Sequence, residues 1–226
     1  MTEPASVRRI EAVSVVDRVT AELRRAIISC AMQPGQEFSL RQIASQLGIS
    51  FIPVREALRT LEADGLLITR RGRSAVVAPL DPDGLAGLVR LRKLIEPDLM
   101  AQAATRFRPA ELDRLELRIP LVNWPQCSTD ELHEAQLDFQ ADLLRPAATQ
   151  WDLKVLERLW QGVARYLHMG YAAVTDQPSA FRALEQGHRA LIAAFRDRDP
   201  ERARAESESQ LERDAAIGRL GLGTGQ

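Results

Sequence analysis

The sequence predicts a mainly α chain in two domains: a small N-terminal domain of three helices and a β-hairpin, residues 1–80, and an all-α antiparallel bundle, residues 81–226. Three observations predict it. Apolar residues recur at helical spacing over nearly the whole chain. The period shortens to that of strands only between Leu66 and Ala78. A Pro/Asp/Gly stretch, LDPDG from Leu80 to Gly84, separates the two parts.

Each element follows from local signals. Val15, Val19, Leu23 and Ile27 form one apolar face of a first helix. QPGQEF, Gln33 to Phe38, reads as a turn. Ser39 is an N-cap residue type ahead of LRQIASQL, and Gly48 stops that helix. Ser50 begins another, with Pro53 in its first turn, where a missing N–H costs nothing. That helix, VREALRTLEADG at its core, ends at Gly65. The runs Leu66–Thr69 and Ala75–Ala78 then form a hairpin whose tip is RRGRS. Beyond the linker, helices are predicted at Asp83–Arg106, Pro109–Val122, Thr129–Leu144, Gln150–Val174, Pro178–Arg196 and Pro200–Arg219. The tail GLGTGQ is predicted to be disordered. Six helices in the remaining chain predict an antiparallel bundle.

Composition narrows the class. The chain has 226 residues, 45% hydrophobic and 27% charged, which is ordinary globular usage. No apolar run reaches the ~18–20 residues of a membrane span, and MTEPASVRRIEAVS lacks a signal peptide's apolar core. Cys30 and Cys127 form no spaced pair, so a cytoplasmic location with free thiols is expected. Residues 1–80 hold 11 Lys/Arg against 8 Asp/Glu, and the remainder holds 19 against 23. A basic N-terminal part joined to an acidic C-terminal part suggests different partners for the two.

Helix, a turn at Gly48–Ile49–Ser50, helix and then a basic hairpin is the plan of a winged helix-turn-helix. In such a domain the second helix presents polar side chains from its N-terminal turns to the major groove of double-stranded DNA. Val54, Ala57, Leu58 and Leu61 supply its packing face, leaving Ser50, Arg55 and Arg59 outward. Arg70, Arg71 and Arg73 around Gly72 would bring the wing to phosphates or the minor groove. On spacing alone, Arg55 and Arg59 read equally as solvated surface charge.

ISFIPVREALRTLEADGLL resembles the recognition-helix signature of GntR-type bacterial regulators. LRQIASQLGIS is similar to the preceding helix of that family, and RRGRSAVVAPL to its wing. GLVRLRKLIEPDLMAQAA, Gly87 to Ala104, resembles the opening helix of the FadR-type effector domain, called FCD. The resemblance covers roughly residues 12–218. It implies DNA contacts from Arg41, Ser50 and Arg55. Phe51 stands where an Arg is common and Ile52 where a small polar residue is. Ser74 replaces a frequent glycine. These changes imply an altered sequence preference, with DNA binding retained.

The same resemblance implies a homodimeric regulator, a repressor, whose operator affinity responds to a small carboxylate effector held in the bundle. Many such domains also hold a divalent metal on one Asp and three His. Aligned on Phe139, those positions here are Gln136, Gln140, His188 and Gln210. Gln136 and Gln140 share a helix face by spacing. Three amides and one imidazole lack the charge and basicity that fix a transition metal. No metal or other cofactor is therefore expected, and the four residues are assigned to an amide-rich effector pocket. A slip of one or two residues in that alignment would bring His133, Asp138 or Asp142 into play. Arg92 is the residue implied for the effector carboxylate, and Arg158 and Arg165 are candidates to assist it. The alternative for Arg92 is an i,i+4 surface pair with Glu96, worth ~0.3–0.5 kcal/mol. His168 reads as a packed or rim histidine. A second reading makes the bundle a dimerisation module without an effector. An enzyme is not expected, because neither a Glu-x-x-His repeat nor a nucleophile–base arrangement is present.

Overall fold

The computed structural model describes residues 14–70, 74–119, 129–174 and 177–223. The N-terminal domain contains α1 (Val15–Ile28), β1 (Glu37–Ser39), α2 (Leu40–Leu47), α3 (Phe51–Ala63), β2 (Leu67–Arg70) and β3 (Ser74–Val77). The Ser39 hydroxyl accepts from the Gln42 N–H while the Gln42 side chain accepts from the Ser39 N–H, a reciprocal cap that starts α2. Gly48 ends α2 at φ 65° and Gly65 turns the chain after α3 at φ 72°, conformations that favour glycine. Val54, Ala57, Leu58 and Leu61 are buried against Val19, Leu23 and Ile27. Both faces of α3 are therefore as its sequence pattern requires.

The sheet differs from the expected hairpin. It has three antiparallel strands in the order β1-β3-β2. The segment read as a turn supplies β1, whose Phe38 is buried and pairs opposite Ala75. A three-residue strand with one apolar side chain cannot display a period of two, so the sequence carries no pattern for it.

The C-terminal domain contains α4 (Pro82–Ala103), α5 (Pro109–Leu117), α6 (Thr129–Leu144), α7 (Gln150–Ala173), α8 (Pro178–Arg196) and α9 (Pro200–Gly223). Asp81 caps α4 by accepting from the Gly84 N–H, and Thr149 and Asp152 cap α7 reciprocally. The core runs from Phe107, Phe139, Leu156 and Phe195 to a second cluster around Val163, Leu167, Tyr171 and Phe181. α9 packs on α4, α7 and α8. Its contact with α7 needs glycine: a Cβ on Gly170 would lie 2.1 Å from the Ile217 carbonyl oxygen, and one on Gly221 2.6 Å from the Gly170 nitrogen.

Several boundaries shift by one to three residues, as at α4, which ends at Ala103 rather than Arg106; two shift by more. α5 ends at Leu117 rather than Val122, because Ile119 precedes Pro120 and a residue before proline is disfavoured in the helical region. α9 continues through Gly221–Gly223, which the sequence assigned to a disordered tail. Leu222 packs on the second core cluster and Gly221 seats against α7, so tertiary packing overrides low helix propensity there. Among the described residues no helix is long and apolar enough to cross a membrane.

Candidate functional site

The first site lies on α2, α3 and the wing. Arg41, Ser50, Phe51, Arg55, Arg59 and Arg70 are all solvent-exposed. Ser50 caps α3 by position, but its hydroxyl makes no cap hydrogen bond and is free for a ligand. Arg55, Arg59 and Arg70 line one groove of about 230 Å³ between α3 and the sheet, with Thr69 and Ser74 opposite. Glu62 ties β2 to α3 by accepting from the Thr69 N–H at 3.0 Å and from its hydroxyl. Arg59 is held by Glu56 at 3.0 Å and Arg70 lies 3.7 Å from Glu37. No such ion pair holds Arg41 or Arg55 among the described residues. Arg71 and Arg73, assigned to the wing tip, lie outside the described residues. Phe51 and Ile52 are 49% and 72% exposed. The start of α3 thus offers apolar surface where a charged side chain was expected by resemblance.

The second site lies in the bundle. Gln140, His188 and Gln210 converge from α6, α8 and α9. Gln210 Nε2 donates to Gln140 Oε1 at 3.2 Å and faces His188 Nε2 at 3.4 Å. Gln136 stands apart from that trio, donating to the Tyr171 hydroxyl at 3.4 Å. All three clustered residues are buried. Burial, and after it the Arg213 charge, together lower the His188 imidazole to about 4, so the ring is neutral at pH 7. An amide N–H facing Nε2 then places the ring proton on Nδ1. These donors do not fit a divalent metal, and Asp142 is turned away to Arg118 and Arg145. Among the described residues no three His, Cys, Asp or Glu side chains gather to hold one.

Arg92 differs most from expectation. The surface-pair alternative is overturned: Arg92 is 3% exposed and Glu96 is fully buried. Its guanidinium donates to Glu96 at 2.6 and 3.2 Å and to Asp214 at 3.0 Å. Glu96 also accepts from Gln140 Nε2 at 2.8 Å and Trp160 Nε1 at 2.9 Å. Burial alone would lower Arg92; the two carboxylates outweigh it and hold the group firmly protonated. Burial raises Asp214, with Arg92 opposing. Arg92 therefore faces the predicted pocket with its donors already engaged by two of the protein's own carboxylates. Arg158 and Arg165 are not at the pocket either. Arg158 bonds Asp64 at 3.1 Å and Arg165 bonds the Ala78 carbonyl at 2.6 Å, both in the N-terminal part of the chain. His168 is half-buried on α7.

Glu96, Trp160, Tyr171 and Asp214 were missed as pocket residues. Glu96 and Asp214 could have been suspected only by placing them on the inner faces of α4 and α9. The cavity beside this network, lined by Arg92, Gln136, Gln140, Trp160, Gln210 and Asp214 among others, is about 30 Å³.

Both parts of the chain match known families. Residues 15–77 match the family described as "Bacterial regulatory proteins, gntR family", and residues 87–213 match the FCD domain. The chain is 24% identical over 198 residues to the HTH-type transcriptional regulator McbR of Escherichia coli (strain K12), covering 87% of this chain and 89% of that protein. It is 26% identical over 179 residues to the HTH-type transcriptional repressor RspR of the same organism, covering 78% and 77%. The solved structure of E. coli McbR/YncC superposes with a TM-score of 0.78 at 23% identity, covering 92% of this chain and 98% of that one. A GntR regulator from Rhodococcus sp. RHA1 gives 0.72 at 20% identity, covering 93% and 99%. These relatives are regulators and not enzymes. The chain belongs to the GntR family of bacterial transcription regulators and carries an FCD domain after its DNA-binding domain.

Proposed function

We propose that this regulator is a cytoplasmic homodimeric repressor that binds an operator in double-stranded DNA and releases it in response to a small organic acid. The observation that carries the DNA-binding part is the exposed set of Arg41, Ser50 and Arg55 around the start of α3, with no ion pair to Arg41 or Arg55 among the described residues. Unpaired guanidinium groups at that place suit base edges and phosphates. Arg59 and Arg70 flank them, and Arg71 and Arg73 extend the wing. Two copies would set their α3 helices in major grooves about 34 Å apart on a near-palindromic site. Exposed Leu91 and Leu94 on α4 supply apolar area for the second copy.

The effector acts by binding one arrangement of the domains better than another. Gln136, Gln140, His188 and Gln210 give it hydrogen-bond donors and acceptors; Arg92 holds the bundle's core together through Glu96 and Asp214. A gel-shift titration against the promoter region of the protein's own gene cluster tests the reading. A sequence-selective complex that weakens with rising salt supports it, and equal binding to unrelated DNA sinks it.

One observation favours a second reading, in which the bundle only dimerises: a 30 Å³ cavity has room for about one water. A thermal-shift screen with organic acids separates the two, since uniform silence supports dimerisation alone.

A further inference from the structure

With Arg92 engaged, an incoming carboxylate needs another cation, and α9 supplies one. Arg213 is half-buried, and its Nε and Nη2 atoms are shielded from solvent with no hydrogen-bond partner among the described residues. Its neighbour Asp214 turns its carboxylate to Arg92 instead. An unfilled buried donor on a charged group is costly, more so than on a neutral one. Such a group persists where something else fills it.

The surroundings of Arg213 are built to receive it. Its Nη2 lies over Gly187 on α8, where a Cβ would come within 2.4 Å. Glycine thus leaves the space that the guanidinium enters. His188 follows directly, and its Nδ1, which carries the ring proton, is also buried without a partner. Two unfilled donors therefore stand on facing helices. Tyr171 is close enough to feel the Arg213 charge, and its hydroxyl accepts from the Gln136 amide at 3.4 Å. That contact is at the weak limit of a hydrogen bond and is easily exchanged for a ligand. Gln136 itself is only partly buried, on the open side of the network.

We propose that Arg213, backed by the His188 Nδ1–H and the Tyr171 hydroxyl, is the anion-recognising site of the bundle and takes the carboxylate head group of the effector. Gln136 swings off Tyr171 to admit it, which enlarges the present cavity. The site rests on the reading of the bundle as an effector domain and replaces Arg92 as the cation that meets the ligand.

The head group is common to all small carboxylates, so acetate, pyruvate, succinate and citrate serve as probes on the full-length protein at matched ionic strength. The expected result is a shift of the Arg213 Nε–Hε resonance with at least one of them at millimolar concentration, while the Arg92 resonance stays fixed. Arg213→Gln should weaken that binding about tenfold or more and leave operator affinity without ligand unchanged. Gly187→Ala, which retains the helix but displaces the guanidinium, should weaken it as well, and covers the case in which Arg213→Gln fails to fold. No shift at Arg213 with any of the four, or undiminished binding by both variants, overturns the site. Loss of operator binding by the unmodified protein is a different failure and overturns the repressor reading instead.

Discussion

Arg158 on α7 donates to Asp64 at 3.1 Å, and Asp64 is the residue that closes the C-terminal end of α3. The same carboxylate accepts from Arg24 of α1 at 2.5 Å, and Arg24 reaches back to Gln161 on α7 at 2.6 Å. One acidic side chain thus joins α3 to one of the two longest helices of the bundle. Arg158 is largely exposed, so the bond contributes orientation more than stability. In Arg158→Ala/Gln161→Ala the two domains should lose their fixed relation while melting changes by less than about 1 kcal/mol. Small-angle scattering reads the first and thermal unfolding the second. An unaltered scattering profile would show that the linker alone sets the orientation.

Removing one partner of the buried network should be severe. Glu96→Gln leaves Arg92 with Asp214 alone and turns an acceptor toward the guanidinium and the Trp160 N–H into an amide that fits neither well. The expected loss is about 3 kcal/mol, in the range for breaking a buried pair. Urea unfolding monitored by circular dichroism gives the number. A loss below about 1 kcal/mol would mean that water reaches Glu96 and screens it.

That network also marks where sequence reading stops. The N-terminal domain was legible because its signals are local: Ser39 and Gln42 cap a helix three residues apart, and Gly48 and Gly65 end helices where positive φ is needed. Helix boundaries in the bundle were legible for the same reason, through Pro82, Thr149 and Pro178. Arg92 could not be placed. Its spacing to Glu96 is the same on a wet surface and in a dry core, and the deciding partner, Asp214, is 122 residues away in sequence. Arg213 was invisible for a related reason, since the space it occupies is a missing side chain on another helix. β1 escaped because three residues cannot show a period.

At the DNA face, Arg55→Ala should weaken operator binding by about 1–3 kcal/mol if its contact is to a base edge. Arg59→Ala should cost less, because Glu56 already holds that guanidinium. Phe51→Ala should weaken binding chiefly to sites that offer a thymine methyl group beside α3, where apolar contact is read. Binding measured across single-base operator variants separates the three. Equal losses from Arg55→Ala and Arg59→Ala would contradict the assignment of roles.

Acid should destabilise the protein through His188. Its folded-state value is about 4 against the ordinary imidazole value of 6.5. As pH falls below 6.5 the unfolded chain takes the proton first, so stability declines through that window and levels near pH 4. The group makes no difference at pH 7 and costs roughly 3 kcal/mol at the bottom of the window. His188→Gln should flatten the difference between unfolding at pH 6.5 and at pH 4.5. An identical acid dependence in the variant would place the imidazole in contact with water.

Gly170→Ala should disrupt the bundle, because the Ile217 backbone blocks the new Cβ and a backbone cannot move as a side chain can. A cost of about 1–3 kcal/mol is expected from overpacking. Calorimetry tests it, and a melting temperature within experimental error of the unmodified protein would refute it.

The Gly170 contact has a mechanical consequence. It pins α7 to α9 next to Tyr171, while Arg158 stands twelve residues from Gly170 on the same helix, a separation of about 18 Å at 1.5 Å per residue. α7 is then a lever with its fulcrum at Gly170 and its tip at Asp64. A tilt of only about 5° at the fulcrum would carry the tip roughly 2 Å over that length, enough to part a hydrogen bond of ordinary length. On the proposed effector reading, a ligand beside Tyr171 needs to shift α7 only slightly for the bond at Asp64 to part.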